Sequence, residues 1–287
     1  MLMPLSVLPP DARYATVATA PGNTAPPSPD DRTVLLANRI EKTYPNGTPA
    51  LREVRLRIQQ GEFVSLLGPS GCGKSTLLRI FAGLEEASGG HVRWWNQGAM
   101  PAPRDGRRFS MVFQEATLMP WATVGANVAL PLDLEGRPRG EKAERVRQAL
   151  AAVGLEAFAR AYPRELSGGM QMRVSLARAL VTEPNLLLMD EPFGALDEFT
   201  RNRLDGDLRQ LWGHRDLTVV FVTHSIYEAV FLSSKVVVMG ARPGRILAEV
   251  DIDAPAERDE AYRTSHAFIE TCQHLSQLLA QAHHPDA

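Results

Sequence analysis

An α/β fold with a mostly parallel sheet, an N-terminal antiparallel β subdomain and a helical insert is predicted by three features of the 287-residue sequence. Short continuous apolar runs, Leu186 to Met189, Thr218 to Thr223 and Lys235 to Met239, read as strands covered on both faces, the mark of a parallel sheet. Alternating residues near the start (Val34 and Leu36, then Val54, Leu56 and Ile58) read as antiparallel strands with one solvated face. Between Ala116 and Val181 the β signals fade and helical spacing replaces them.

Taken in order, residues 1–31 carry seven prolines among Ser, Thr, Gly and Ala and no periodic apolar face. They cannot offset their ordering entropy by burial and are expected to form a flexible tail. Pro45-Asn46-Gly47 predicts a turn between the first strands. Glu62 to Leu67 is a compact apolar strand, followed by a Gly-rich loop and the helix-forming stretch Ser75 to Ala82. Phe109 to Phe113 reads as another strand. The insert, about 116–181, is entered through Pro120 and has a loop at Gly136 to Gly140; Val146, Leu150 and Val153 mark a helix over 145–155. A helix over Glu198 to Trp212 separates two of the buried strands, and 265–281 predicts a closing helix with Phe268, Cys272, Leu275 and Leu279 on one side.

Composition removes several classes. With 44% hydrophobic and 22% charged residues the chain can bury a substantial core, which excludes disordered or collagenous architectures. Lys plus Arg (31) nearly balance Asp plus Glu (33), so no broad positive field exists to hold a nucleic acid by counterion release. Two cysteines, Cys72 and Cys272, make no disulfide framework and fit a reducing compartment. The apolar runs are strand-sized, below the ~18 residues of a membrane span, and no export signal is evident.

The chemistry begins at Gly68-Pro69-Ser70-Gly71-Cys72-Gly73-Lys74-Ser75, continued by Thr76. This G-x-x-x-x-G-K-S pattern lets successive backbone N–H groups turn inward around a phosphate; Lys74 adds charge for the β and γ phosphates and Ser75 a hydroxyl for Mg²⁺. Its place between a predicted strand and a predicted helix is the one the motif requires, so a P-loop NTPase core binding a nucleoside triphosphate is expected. Cys72 is assigned no catalytic role, but the adjacent helix N-terminus predicts a depressed thiol pKa. A second apolar strand delivers Asp190 and Glu191 at its end. Strand alternation aims them differently, so Asp190 can hold Mg²⁺ while Glu191 accepts a proton from the attacking water.

Leu166-Ser167-Gly168-Gly169-Met170, upstream of the acidic strand, resembles the signature of ATP-binding-cassette (ABC) proteins. With it, the stretch from about residue 33 to 250 looks like a complete cassette. Tyr44, Gln114, the signature, Asp190-Glu191-Pro192, Gly194-Ala195-Leu196-Asp197 and His224 join the phosphate loop in the family's order. The resemblance implies a division into a tail (1–31), an ABC ATPase domain (32–254) and a C-terminal helical extension (255–287). It implies ATP and Mg²⁺ as ligands, with adenine on the Tyr44 ring, Gln114 reaching Mg²⁺ or the lytic water, and His224 donating to the γ-phosphate. Ser167, Gly168 and Gly169 form a second anion site, which in the family completes the phosphate loop of a second copy in a head-to-tail dimer. Asp197 either faces that nucleotide or caps the following helix. Met170 stands where Gln is frequent in the family, with Gln171 next.

If it transports anything, a cassette with no membrane span must borrow a pore from another polypeptide; the resemblance to prokaryotic importers implies separate transmembrane permease subunits, a periplasmic substrate-binding protein feeding them, and a peripheral place on the cytoplasmic face of the inner membrane. The stretch after His224 is shorter than the large regulatory domain of sugar-type importer ATPases, so that branch is not expected. Gln114 to Trp121, the signature and Gly240-Ala-Arg-Pro-Gly-Arg245 resemble the nitrate, sulfonate and taurine branch of importers. Leu118, Met119 and Trp121 suit a groove for a permease helix, or pack within the insert. The alternative is a soluble, non-transport ABC ATPase regulating translation or DNA transactions, which tandem cassettes or a basic extension would favour.

Overall fold

The computed structural model describes residues 32–94, 108–213 and 217–283. The predicted tail lies outside them.

Strands β1 (Thr33–Thr43), β2 (Pro49–Gln59) and β4 (Gly89–Trp94) form an antiparallel sheet in the order β2-β1-β4. The turn at Pro45 to Gly47 links the first two, with Gly47 at φ 81°. In β2 the alternation holds: Val54, Leu56 and Ile58 are buried. In β1 it does not, because register shifts after Thr33 and after Ala37 move the pleat. Val34, Leu35, Ala37 and Ile40 are buried and Leu36 is only half-buried, so the expected alternation holds at Val34 and fails at Leu36.

The second sheet runs β5 (Phe109–Val112), β6 (Leu186–Asp190), β7 (Thr218–Thr223), β3 (Phe63–Leu67), β8 (Lys235–Gly240), β9 (Arg245–Asp251). Its first five strands are parallel; β9 pairs antiparallel with β8. Every residue of β3, β6 and β7 is buried, as their continuous apolar runs require. One face packs on α1 (Lys74–Phe81) and the antiparallel sheet; the other packs on the insert and the C-terminal helices. The phosphate loop emerges from the C-terminal end of β3, in the middle of the sheet, where parallel α/β sheets present their ligands.

Between β5 and β6 stand α2 (Val124–Leu134), α3 (Arg139–Ala152) and α4 (Gly168–Leu180). Leu150 and Val153 are buried as their spacing predicts. Gly140, placed in a loop from sequence, lies inside α3, which Pro138 precedes. Beyond β6 come α5 (Glu198–Gly213), α6 (Ile226–Leu232), a single turn α7 (Glu260–Arg263) and α8 (His266–His283). In α8, Phe268, Cys272 and Leu275 are buried and Leu279 packs against the same core.

Arginines fasten this last segment. Arg258 Nη1 donates to the carbonyls of Val230, Phe231 and Ser233, which terminates α6. Arg263 stacks 3.5 Å over the Phe231 ring and pairs with Asp205 at 3.2 Å. Asp205 is fully buried and its Oδ1 has no hydrogen-bond partner among the described residues. Burial and the neighbouring Glu228 charge push its carboxyl up to about 7, against the pull of Arg263 and Arg201. The native chain therefore holds a proton there that the unfolded chain releases near pH ~4, so stability falls as pH rises from about 4 to 7. Asp205→Asn is expected to shrink the drop in melting temperature between about pH 5 and about pH 8. An unchanged drop by differential scanning fluorimetry would contradict the assignment.

Candidate functional site

A cavity of about 630 Å³ opens over the phosphate loop, within the range of small-molecule sites. It is lined by Tyr44, Ser70, Gly71, Gly73, Lys74, Ser75, Thr76, Gln114 and Glu191 of the residues expected from sequence. Thr48, Pro49, Ala50 and Arg242 line it as well and were not anticipated. The first three follow a turn that sequence reveals only as a hairpin. Arg242 lies in the Gly240 to Arg245 stretch, whose sequence suggests a likeness to an importer branch but no contact with a nucleotide.

The loop's glycines are fixed by space and backbone. A Cβ on Gly68 would come within 2.7 Å of the Met239 carbonyl and 2.8 Å of Cys72 Sγ, and Gly73 has φ 92° with Leu51 and Ala50 against it. Lys74 is 4% exposed and its Nζ donates to the carbonyls of Gly68 (2.8 Å) and Pro69 (3.1 Å), 3.8 Å from Glu191 Oε1. Ser75 Oγ donates to Asp190 Oδ1 at 2.7 Å, uniting two of the three expected metal ligands. Burial raises the Asp190 carboxyl, while the Ser75 hydrogen bond and the charges of Arg79 and Lys74 draw it back down. The half-buried Tyr44 hydrogen-bonds Thr76 Oγ1 through its hydroxyl (3.0 Å), which sets its ring at the cavity wall.

Cys72 corrects its expectation. The thiol is buried in the core under the loop, and loss of solvation raises its pKa although Lys74 pulls the other way. Helix N-termini activate thiols that water can reach, and this one is not exposed.

Glu191 has φ 45°, a left-handed backbone that breaks the alternation of β6. Its Oε2 lies 3.3 Å from His224 Nδ1. The two turns carrying these side chains are tied together from behind. Arg201 donates to the carbonyls of Phe193 (3.3 Å) and Leu196 (3.0 Å) and pairs with buried Glu228 at 3.5 Å. Glu228 accepts from Thr223 Oγ1, which in turn accepts from Ser225 N, one residue past His224. No sequence pattern disclosed Arg201 or Glu228, since their pairing spans separate elements.

Ser167, Gly168, Gly169 and Asp197 lie outside the cavity lining. Ser167 caps α4, accepting from Met170 N at 3.3 Å, and is exposed with Gly168. Asp197 accepts from Thr200 N (3.0 Å) and Thr200 Oγ1 (2.7 Å), the helix-cap geometry, and these bonds lower its carboxyl pKa. A Cβ on Gly169 would come within 2.7 Å of Thr200 Cγ2, so the starts of α4 and α5 sit side by side. Phe199, 91% exposed, stands beside them.

Gln114 leads into a loop that packing fixes. Buried Asn127 accepts from Met119 N (2.7 Å) and donates to the carbonyls of Met119, Ala122 and Thr123, holding Trp121 outward at 77% exposure; Leu118 packs on the core. Arg178 of α4 donates to the Ala116 and Thr117 carbonyls, both at 2.9 Å, linking this loop to the helix that begins at Ser167.

Comparison with known proteins agrees with this geometry. The family described as ABC transporter matches residues 51–194. An aliphatic sulfonates import ATP-binding protein, SsuB of Bacillus cereus, is 42% identical over 221 residues, 77% of this chain and 84% of that protein. A taurine import ATP-binding protein, TauB of Pseudomonas putida, is 40% identical over 248 residues, 84% of this chain and 94% of that one. Among solved structures, the dimeric post-hydrolysis state of the ATP-binding cassette MJ0796 bound to ADP and Pi superposes with a TM-score of 0.67 at 34% identity, covering 77% of this chain and all of that one.

Proposed function

This chain belongs to the ABC transporter family, and from that premise we propose that it is the ATP-hydrolysing subunit of an importer, acting as a head-to-tail pair on a separate permease. It binds and hydrolyses ATP, as its family does. One observation carries the paired arrangement: the Ser167-Gly168 helix start is exposed and outside the cavity formed over its own phosphate loop. A helix N-terminus with a free face and glycine backbone is an anion site, and a second copy brings the γ-phosphate to it. The dimeric cassettes among solved structures support that geometry.

In this reading adenine stacks on Tyr44, and the backbone from Gly68 to Thr76 cradles the phosphates, with Lys74 adding charge. Ser75, Asp190 and Gln114 suit Mg²⁺, a hard cation that takes oxygen donors from one or two side chains plus the substrate's phosphates. The ion neutralises charge on the β and γ phosphates when bound. Glu191 takes the proton of the attacking water, and His224 steadies it and meets the γ-phosphate. Asp197, exposed at the start of α5, faces the nucleotide held by the partner copy. Loss of the γ-phosphate removes contacts both copies share, a differential that opens the pair.

Trp121 and the loop pinned by Asn127 offer the permease an apolar, rigid face, and Arg178 carries its displacement to the signature helix. The solute is an organic sulfonate or similar small anion, delivered by a binding protein; the SsuB-like and TauB-like relatives support that class. The chain then works at the cytoplasmic face of the membrane. Relatives named as import proteins disfavour a non-transport role.

Ser167→Asn tests the pairing, because Asn caps a helix as well as Ser and leaves α4 intact. ATP affinity of the single copy is expected to stay unchanged while ATP-driven dimers disappear from sedimentation profiles. Normal dimerisation by this variant would overturn the shared site.

A further inference from the structure

We infer that Arg242 is a nucleotide-binding residue, its guanidinium pairing with the α-phosphate from the side of the phosphate loop opposite the hydrolytic groups. This rests on the ATP-site reading above and adds a contact to it. Arg242 lines the cavity with Tyr44, Ala50 and Lys74, is exposed, and has no hydrogen bond or ion pair among the described residues. A lone guanidinium facing a phosphate cradle is a charge without its partner, and planar paired donors are the geometry that phosphate oxygens accept.

The strand order sets the side from which it meets the phosphates. The loop leaves β3; Gln114 follows β5 and Glu191 ends β6, both on one side of β3 in the sheet. Arg242 sits in the turn from β8 to β9, on the other side. Backbone bonds hold that turn in place: Gly244 N donates to the Ala50 carbonyl and Arg52 N to the Gly244 carbonyl, each at 2.9 Å. Gly244 is itself packed so tightly under the loop that a Cβ would collide with the Cys72 carbonyl. Ala50 also abuts Gly73, at the start of α1, so the turn approaches the phosphates beside the Tyr44 and Thr76 wall. Arg242 has φ 46°, a left-handed backbone at the turn itself, and its side chain lines the cavity.

Two variants test this. Arg242→Asn removes the charge with a residue that tolerates left-handed backbone, and Arg242→Lys keeps the charge without the fork. Binding of ATP, ADP, AMP and adenosine to the full chain is measured by isothermal titration without Mg²⁺. Arg242→Asn is expected to weaken ATP, ADP and AMP by a common factor of about 10 or more, that of a lost charge-assisted hydrogen bond, and to leave adenosine and the nucleotide-free melting temperature unchanged. Arg242→Lys should recover part of the loss. Wild-type affinities in Arg242→Asn, a loss confined to ATP, or an equal loss for adenosine would each overturn the assignment. A wild-type chain that binds neither ATP nor ADP would instead sink the nucleotide-site reading and this contact with it.

Discussion

Glu191→Gln is expected to bind ATP with the wild-type affinity, lose hydrolysis by about 10²- to 10⁴-fold, and accumulate as a dimer in ATP and Mg²⁺. The amide is nearly the shape of the carboxylate but cannot take a proton from water, so only the chemical step loses its base. Binding survives because Lys74, which Glu191 approaches at 3.8 Å, is also held by the Gly68 and Pro69 carbonyls. On the proposed pairing closure survives as well, because that pairing rests on the phosphates and on the exposed Ser167 helix start, neither of which this change touches. Single-turnover hydrolysis and size exclusion in ATP and Mg²⁺ check both halves. Retained turnover would show that the proton goes elsewhere, with Glu228 excluded as the substitute by its burial behind Thr223. A monomer in ATP would instead remove the link between hydrolysis and opening.

What the sequence disclosed here is the chemistry that is contiguous in the chain. Gly68 to Thr76 and the strand ending in Asp190 and Glu191 are each a single local unit, and the structure brings both to one cavity. The continuous apolar runs located β3, β6, β7 and β8 because complete burial writes itself into consecutive residues. Edge strands do not have that property. In β9, Arg245, Leu247 and Asp251 stay exposed, and this strand and the Gly-rich β4 carried no comparable signal. In β1 alternation finds Val34 but not the half-buried Leu36, because register shifts move the pleat, a tertiary effect with no trace in residue alternation. Thiol reactivity at Cys72 escapes the sequence for a related reason: the helix start is local, but the burial that outweighs it comes from the packed core below. The supporting bonds of the site, Arg201 with Glu228, Asn127 under its loop and Arg178 on Thr117, join residues from separate segments and become legible only in three dimensions.

The other large effect is expected at Lys74. Lys74→Ala should weaken ATP by about 10- to 100-fold, the worth of hydrogen bonds to a charged group, and abolish turnover with it. Lys74 is buried, so its removal has two possible consequences, loss of a phosphate contact or loss of the loop itself. The loop's other supports separate them. Gly68 and Gly73 are set by contacts with Met239, Leu51 and Ala50, and Cys72 N still donates to the Pro69 carbonyl at 3.3 Å, so the loop keeps its course without the ammonium. The melting temperature of Lys74→Ala is therefore expected to hold while ATP no longer raises it, whereas a wild-type chain gains stability with ligand by mass action. Lys74→Arg should fail as well. The ammonium fits between two carbonyl oxygens at 2.8 and 3.1 Å in a site only 4% exposed, and a planar guanidinium cannot reproduce that compact contact. Normal turnover in either variant would mean that the phosphates are held by the backbone alone, and the charge assigned to Lys74 would have no part in binding them.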